Sequence, residues 1–322
     1  MFNKLDWINA SAAVAVVATG MALAMRMAAT DYVSAPHENR KLSVVATTRA
    51  TATGRLLDAG GVSVPLRNYR RIAGGSLVAD RLLLMLSEPD RIVAFSESAP
   101  TAHQAYRFSG KPSLPSLNNI EAITAYNIDL LIVNNMGRQP HLQRLRDAGV
   151  AVFDLGAMHG VATLLPNIDS VGLLLGHADR AQALRQDFVH RSAVLAKAVA
   201  PEQRRSAIYV GIHGDKMYGG TKGSSFHDIL SLAGLVDAAA SAFTGWPGYT
   251  SEQILLLDPD VVVTQIGMRE RLCGHPGMQR IQACGLKGRV VELDASFLLD
   301  PGLPLVEAAA QVQHAVYGTG NP

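Results

Sequence analysis

From Arg55 onward, short β-branched apolar runs alternate with amphipathic stretches. The runs in RRIAGGS, DRIVAFSES, DLLIVNN and VAVFDLGA read as strands, and LVADRLLLMLS, NIEAITAYN and PHLQRLRDAG between them as helices. GRLLDAGGVSVPL, ahead of the first run, alternates apolar and polar positions about Asp58–Gly61 and reads as a hairpin. From Val161 to Ala200 the alternation stops and helical periodicity takes over. Pro166 fits a first helical turn there, and Gly176 is either a break or an interior glycine. The rhythm then resumes with strands in SAIYVGI, DVVVTQIG and RVVELDAS. Its helices are SSFHDILSLAG, closed by Gly234, then SEQILLL, PGMQRIQACG and LPLVEAAAQVQHAVYG. Strands alternating with helices predict parallel sheets covered by helices.

One pattern occurs twice. NNIEAITAYNIDLLIVNN and YTSEQILLLDPDVVVTQ each place a glutamate (Glu121, Glu252) ahead of an isoleucine two residues on (Ile123, Ile254). Each then has an aspartate (Asp129, Asp260) at the same spacing and a buried run after it. The macrodipole favours an acidic residue at a helix start, which accounts for either glutamate alone. The matched spacing points instead to two equivalent lobes.

The start of the chain differs. Ile8 to Met25 carries no charge and is flanked by Lys4 and Arg26. It has the size of a secretory h-region, with ALA or MAA as cleavage site, and nearly the length of a membrane span. Cleaved or retained, it sends the folded part out of the cytoplasm. In an exported chain the two cysteines, Cys273 and Cys284, suggest one disulfide, with two free thiols as the alternative. At 322 residues the chain has room for two domains, and 48% hydrophobic with 17% charged residues excludes disorder. A net charge of +2 and the lack of a basic tract argue against a nucleic-acid partner.

Several segments resemble the periplasmic binding proteins of ABC importers, in the rigid-helix group that carries iron–siderophore complexes, haem and vitamin B12. DAGGVSVPLRNYRRIAGGS looks like that family's opening hairpin and first strand, and NNIEAITAYNIDLLIV like its first-lobe glutamate segment. MYGGTKGSSFHDILSLAGL looks like its second-lobe glycine turn, and DASFLLDPGLPLVEAAAQV like its last strand and helix. WPGYTSEQILLLDPDVVVT is the most specific and is similar to the vitamin B12-binding member. Ile128 stands where the family's Leu-x-Pro-Asp would have proline, and the Ser98–Leu114 connection is unusually short.

The resemblance implies an α/β fold of two Rossmann-like lobes with parallel sheets, joined by one long α-helix. The layout would be a signal peptide or anchor (1–29), a lead-in with hairpin (30–66), an N-terminal lobe (67–160), the connecting helix (161–200) and a C-terminal lobe (201–322). It implies a monomeric, periplasmic, non-enzymatic carrier without a resident cofactor, its metal-containing ligand being cargo. Its partner would be an ABC importer permease, and it would touch the membrane only through an uncleaved N-terminal segment. An iron chelate, siderophore or haem, is the first ligand and cobalamin the alternative. One acidic residue per lobe, Glu121 and Glu252, would dock on permease arginines.

Ligands of such folds bind outside the carboxyl ends of the strands. The candidates there are Ser76, Ser96, Glu97, Asn135, Met158 and His159 in the first lobe, and His213, Tyr218, Trp246, Arg269 and Phe297 in the second. Trp246 offers a flat face for a porphyrin, corrin or catecholate, Arg269 a partner for an anionic chelate, and Tyr218 a phenolate for iron. Histidines are too few at the first-lobe strand ends for a bare-metal site. No G-x-S-x-G, H-E-x-x-H or P-loop marks an enzyme.

Overall fold

The computed structural model describes residues 50–51, 54–134, 140–285, 289–298 and 300–318. The expected leader and the candidate Asn135 lie outside the described residues.

A three-stranded antiparallel sheet comes first: β1 (Ala50–Thr51), β2 (Arg55–Leu57) and β3 (Ser63–Pro65). The Asp58 carboxylate accepts the Val62 N–H at 2.7 Å and closes the β2–β3 hairpin. The first lobe follows: β4 (Ile72–Gly74), α1 (Leu77–Leu86), β5 (Ile92–Ala94), α2 (Ile120–Thr124), β6 (Leu130–Val133), α3 (Pro140–Asp147) and β7 (Ala151–Asp154). Its sheet is wholly parallel, in the order β5-β4-β6-β7. β4 and β6 are buried along their whole length, as strands covered on both faces must be.

The connecting segment is two helices, α4 (Val161–Leu175) and α5 (Ala178–Lys197). Gly176 is the break: its φ of 79° ends α4 in the left-handed region, which favours glycine. The helices then cross so closely that a Cβ on Gly172 would lie 2.2 Å from that of Ala181. Pro166 falls in the second turn of α4, not the first, because the helix begins earlier, at Val161. The strut between the lobes is therefore α5 alone, about 30 Å long at 1.5 Å per residue. At its start His177 and Arg180 meet Glu88, beyond the end of α1, at 2.9 and 3.1 Å. Hydrogen bonds from Arg91 and His177 hold the Glu88 carboxyl down at about 2. Near the other end, Gln313 of the last helix donates to the Leu195 carbonyl at 2.9 Å.

The second lobe contains β8 (Ser206–His213), β9 (Lys216–Gly219), α6 (Ser225–Leu232), β10 (Val236–Asp237), β11 (Gly248–Tyr249), α7 (Ser251–Leu257) and β12 (Val261–Gln265). After these come α8 (Arg269–Gly274), α9 (Gln282–Gly285), β13 (Val290–Leu293), α10 (Ala295–Leu298) and α11 (Leu305–Tyr317). β8, β10, β12 and β13 are parallel, and β9 and β11 add an antiparallel flank. A single hydrophobic cluster runs through both lobes, from Ile72 and Leu130 past Val171 and Phe188 to Tyr209 and Val261. A smaller cluster covers the other sheet face in each lobe. Among the described residues, no helix is long and apolar enough to cross a membrane.

Candidate functional site

The carboxyl ends of the two sheets converge, as the contacts between their loops show. On one flank the His103 ring, after β5, stacks on Phe297, after β13, with centroids 3.9 Å apart. On the other, the His159 Nδ1 lies 3.0 Å from the Gly223 carbonyl, and the Val161 N–H donates to Asp228 at 2.6 Å. The strand-end loops between these flanks form the candidate cleft.

The expected residues differ in exposure. Glu97, His159 and His213 are exposed, while Ser76, Tyr218 and Arg269 are half-buried. Ser76 is partly engaged, since its hydroxyl caps α1 by accepting the Ala79 N–H at 3.3 Å. The Arg269 backbone N–H donates to Glu292 at 3.1 Å at the start of α8.

Three expected residues are corrected. Ser96 is buried, and its hydroxyl donates to Asp80 at 2.5 Å. Met158 is a core residue whose sulfur accepts from Asn167 at 3.5 Å. Phe297 is buried beneath His103. Strand-end position does not separate side chains that turn toward the cleft from those that turn back into the core.

Trp246 is 53% exposed and rests edge-on against Phe226, centroids 5.2 Å apart at 87°. Phe226 in turn stacks on Tyr209 at 3.6 Å. The indole is thus braced from below and open above, as a stacking platform requires. Tyr218 behaves differently. It lies on β9, where a turn was expected, and its ring covers Gly211 so closely that a Cβ there would be 2.3 Å from Cζ. The phenol is packed against the sheet.

Two features escaped the sequence reading. Ile266, directly after β12, is 62% exposed at the strand end. The β8–β9 hairpin presents His213–Lys216 at its tip, with Gly214 at φ 58°. A glycine at the first central position of a two-residue loop was the available signal. Arg271 clasps this tip by donating to the Gly214 carbonyl. Arg271 belongs to a block held by the Cys273–Cys284 disulfide, with Cα atoms 5.5 Å apart. Among the described residues, no three His, Cys, Asp or Glu side chains gather as a metal site needs.

Known proteins share this fold. The cobalamin-binding protein of Halobacterium salinarum is 27% identical over 245 residues, 73% of this chain and 66% of that protein. This chain thus spans just under two thirds of the length of the first curated relatives it matches. A possible iron-binding periplasmic solute-binding protein of Staphylococcus epidermidis aligns with a TM-score of 0.69 at 19% identity, covering 78% of this chain and 100% of that one. A periplasmic haem-binding protein of Pseudomonas aeruginosa aligns at 0.66 with 22% identity, covering 79% and 94%. Both structural likenesses establish the two-lobed fold. The sequence pattern of the periplasmic binding proteins matches residues 72–297, from the first strand of one lobe to just past the last strand of the other, and the chain belongs to that family.

Proposed function

We propose that this protein captures a flat, metal-containing macrocycle outside the cytoplasm and delivers it to the permease of an ABC importer. The observation that carries this reading is Trp246: a braced, half-exposed indole just ahead of β11 in a two-lobed binding protein. The task is capture and release, and no bond of the ligand changes.

Iron chelates come ahead of cobalamin on the sequence resemblance, and the side chains favour the reverse. A haem held by tyrosinate needs a phenolate aimed into the cleft. Tyr218 is instead packed over Gly211, and Tyr249 is buried. A corrinoid brings its cobalt already coordinated and asks the protein mainly for apolar and stacking contacts, which Trp246 and Ile266 offer. The 27% identity to a cobalamin-binding protein points the same way. Haem remains the second reading because His159 and His213 are both exposed at strand ends.

Titration of the purified protein with cyanocobalamin, hemin and a ferric tricatecholate, followed by absorbance and tryptophan emission, tests the proposal. A Trp7→Phe background leaves Trp246 as the only emitter. Cyanocobalamin should quench it and bind tightest, and Trp246→Ala should weaken binding by about 1–3 kcal/mol. Tighter hemin binding with a histidine-type spectrum would install the second reading, and no binding of any of the three would remove the proposal.

A further inference from the structure

One junction between the lobes buries three charged side chains. Asp80 and Arg81 are neighbours on α1, Asp300 comes from the second lobe, and their exposures are 0%, 4% and 0%. Arg81 donates from Nε to Asp300 and from Nη2 to the His103 carbonyl at 2.7 Å. Asp300 also accepts the Gly302 N–H at 3.3 Å. Among the described residues, the bonds Asp80 accepts come from Ser96: the Ser96 N–H lies 3.1 and 3.0 Å from its two oxygens, and the hydroxyl 2.5 Å from Oδ2. Gly74 makes room for it, since a Cβ there would fall 1.9 Å from Asp80 Oδ1.

Two buried carboxylates therefore lie near one guanidinium, which pairs with Asp300 and not with Asp80. An unpaired charge in such a place is costly enough that the group takes up a proton instead. Asp300 holds Arg81 directly, so the proton belongs on Asp80. Burial pushes Asp80 up to about 7; the Ser96 bonds oppose the rise, and the charge of Asp300 adds to it. The junction also ties down a specific segment. Ser96 opens the connection that runs to Leu114, and His103 within it packs on Phe297 with its Nε2 3.9 Å from Glu307. The charged groups facing Asp80 are Arg81 on its own helix and Asp300 across the junction, and β4 presents only Gly74. Glu307 bears on Asp300, and His103 on Asp294.

We propose that this junction is a proton-dependent latch between the lobes. With Asp80 neutral, the Ser96 connection and the Asp300 segment are held together. With Asp80 ionised, its charge repels Asp300 and both segments loosen. The sign follows from linkage: the closed latch holds a proton that the open one, with Asp80 in water near its ordinary value, releases. Opening therefore grows as pH rises toward about 7 and levels off above it.

Amide hydrogen exchange of the full chain between pH 5 and 8.5, corrected for intrinsic rates, tests the latch without any ligand. Peptides covering 97–108 and 300–306 should open more by up to tenfold per pH unit below about 7 and then level off. Peptides of β12 should show no such trend. Asp80→Asn should flatten the profile at the closed level. If that variant does not fold, Ser96→Ala serves instead: it removes the hydroxyl bond that favours the carboxylate and leaves the backbone N–H in place, so the plateau should move to higher pH. A flat wild-type profile, an unchanged slope in Asp80→Asn or an unmoved plateau in Ser96→Ala would overturn the proposal. A slope abolished by His103→Gln would overturn it too, by assigning the effect to the imidazole.

Discussion

The helix–strand units that open with Asn119 and Thr250 do the same work in different lobes, position by position. Asn119 accepts the Ala122 N–H at 3.1 Å, and Thr250 the Gln253 N–H at 3.3 Å, so each caps its helix. Ile123 and Ile254 are both 0% exposed. Asn127 and Asp258 both take positive φ, 51° and 37°, to leave the helix. Asp129 accepts the N–H groups of Arg70 and Arg71 at 2.8 and 3.0 Å, and Asp260 that of Ser206 at 3.1 Å. The registers Ile72↔Leu130 and Ala207↔Val261 start just beyond, so each aspartate secures the entry of the neighbouring strand. Four of the five repeated positions thus have a job inside their own lobe. The fifth, Glu121 and Glu252, is exposed and makes no ion pair among the described residues. Folding explains the repeat at four positions through bonds and burial, and at the fifth it offers the helix dipole and, for Glu252, a contact with the Thr250 cap.

If the units are equivalent, matched substitutions should cost alike. Ile123→Ala and Ile254→Ala should each destabilise by about 2–5 kcal/mol in denaturant unfolding, as core truncations do. A loss below about 1 kcal/mol in one lobe alone would break the equivalence. Next in size is a feature only the second lobe has. Reducing Cys273–Cys284 should remove about 2–4 kcal/mol. Amide exchange should then rise in α8, α9 and the His213–Lys216 tip that Arg271 clasps, and not in α2 or β6. Faster exchange in the first lobe would mean that the bridge braces more than its own block.

The lobes also differ in how well the sequence announced them. The parallel strands were legible because β-branched runs such as LLIV and VVVT leave few alternatives. The repeat was legible because spacing survives divergence. The antiparallel flank was not: β9 and β11 are short, and β9 holds Tyr218 next to glycines that read as a turn. Among candidate site residues, Trp246 and the two glutamates are exposed. Ser96 and Met158 are not, because their burial depends on Asp80 and Asn167, partners remote enough in sequence that no local pattern names them.

The aspartates should rank third. Asp129→Ala frees two backbone N–H groups at the head of β4, and Asp260→Ala one N–H and the Ser206 hydroxyl at the head of β8 together with the Arg289 guanidinium, 3.4 Å away. Hydrogen bonds to a charged acceptor are worth about 1.5–3 kcal/mol each, less where water can replace them. These sites are partly wet, so a loss of about 1–2 kcal/mol is expected in either lobe. A thermal melt that shifts in one variant only would show that the second strand head has another support.

The glutamates should have the smallest effect on folding and the most particular effect on function. Glu121→Arg and Glu252→Arg break no ion pair among the described residues, and Glu252 gives up only its hydrogen bond with the Thr250 cap, so the melting temperature should fall slightly and ligand affinity should stay at the wild-type value. If the protein delivers its ligand to a permease, each reversal should slow uptake in cells and the pair should nearly abolish it. Rim charges act mainly on encounter and orientation, so raised salt should weaken wild-type docking more than that of the double variant. The lobes should not contribute equally. One turn after Glu252, on the same face of α7, stands Leu256 at 82% exposure, whereas Ala125 holds the matching place after Glu121. A large apolar side chain left in water beside a docking charge gives the second lobe more surface to bury. Glu252→Arg should therefore slow uptake more than Glu121→Arg, and Leu256→Ser should slow it with both glutamates intact. Equal effects of the two reversals, with a silent Leu256→Ser, would leave docking as symmetric as the repeat itself. Normal uptake in the double reversal would return both glutamates to the role of ordinary helix-start residues.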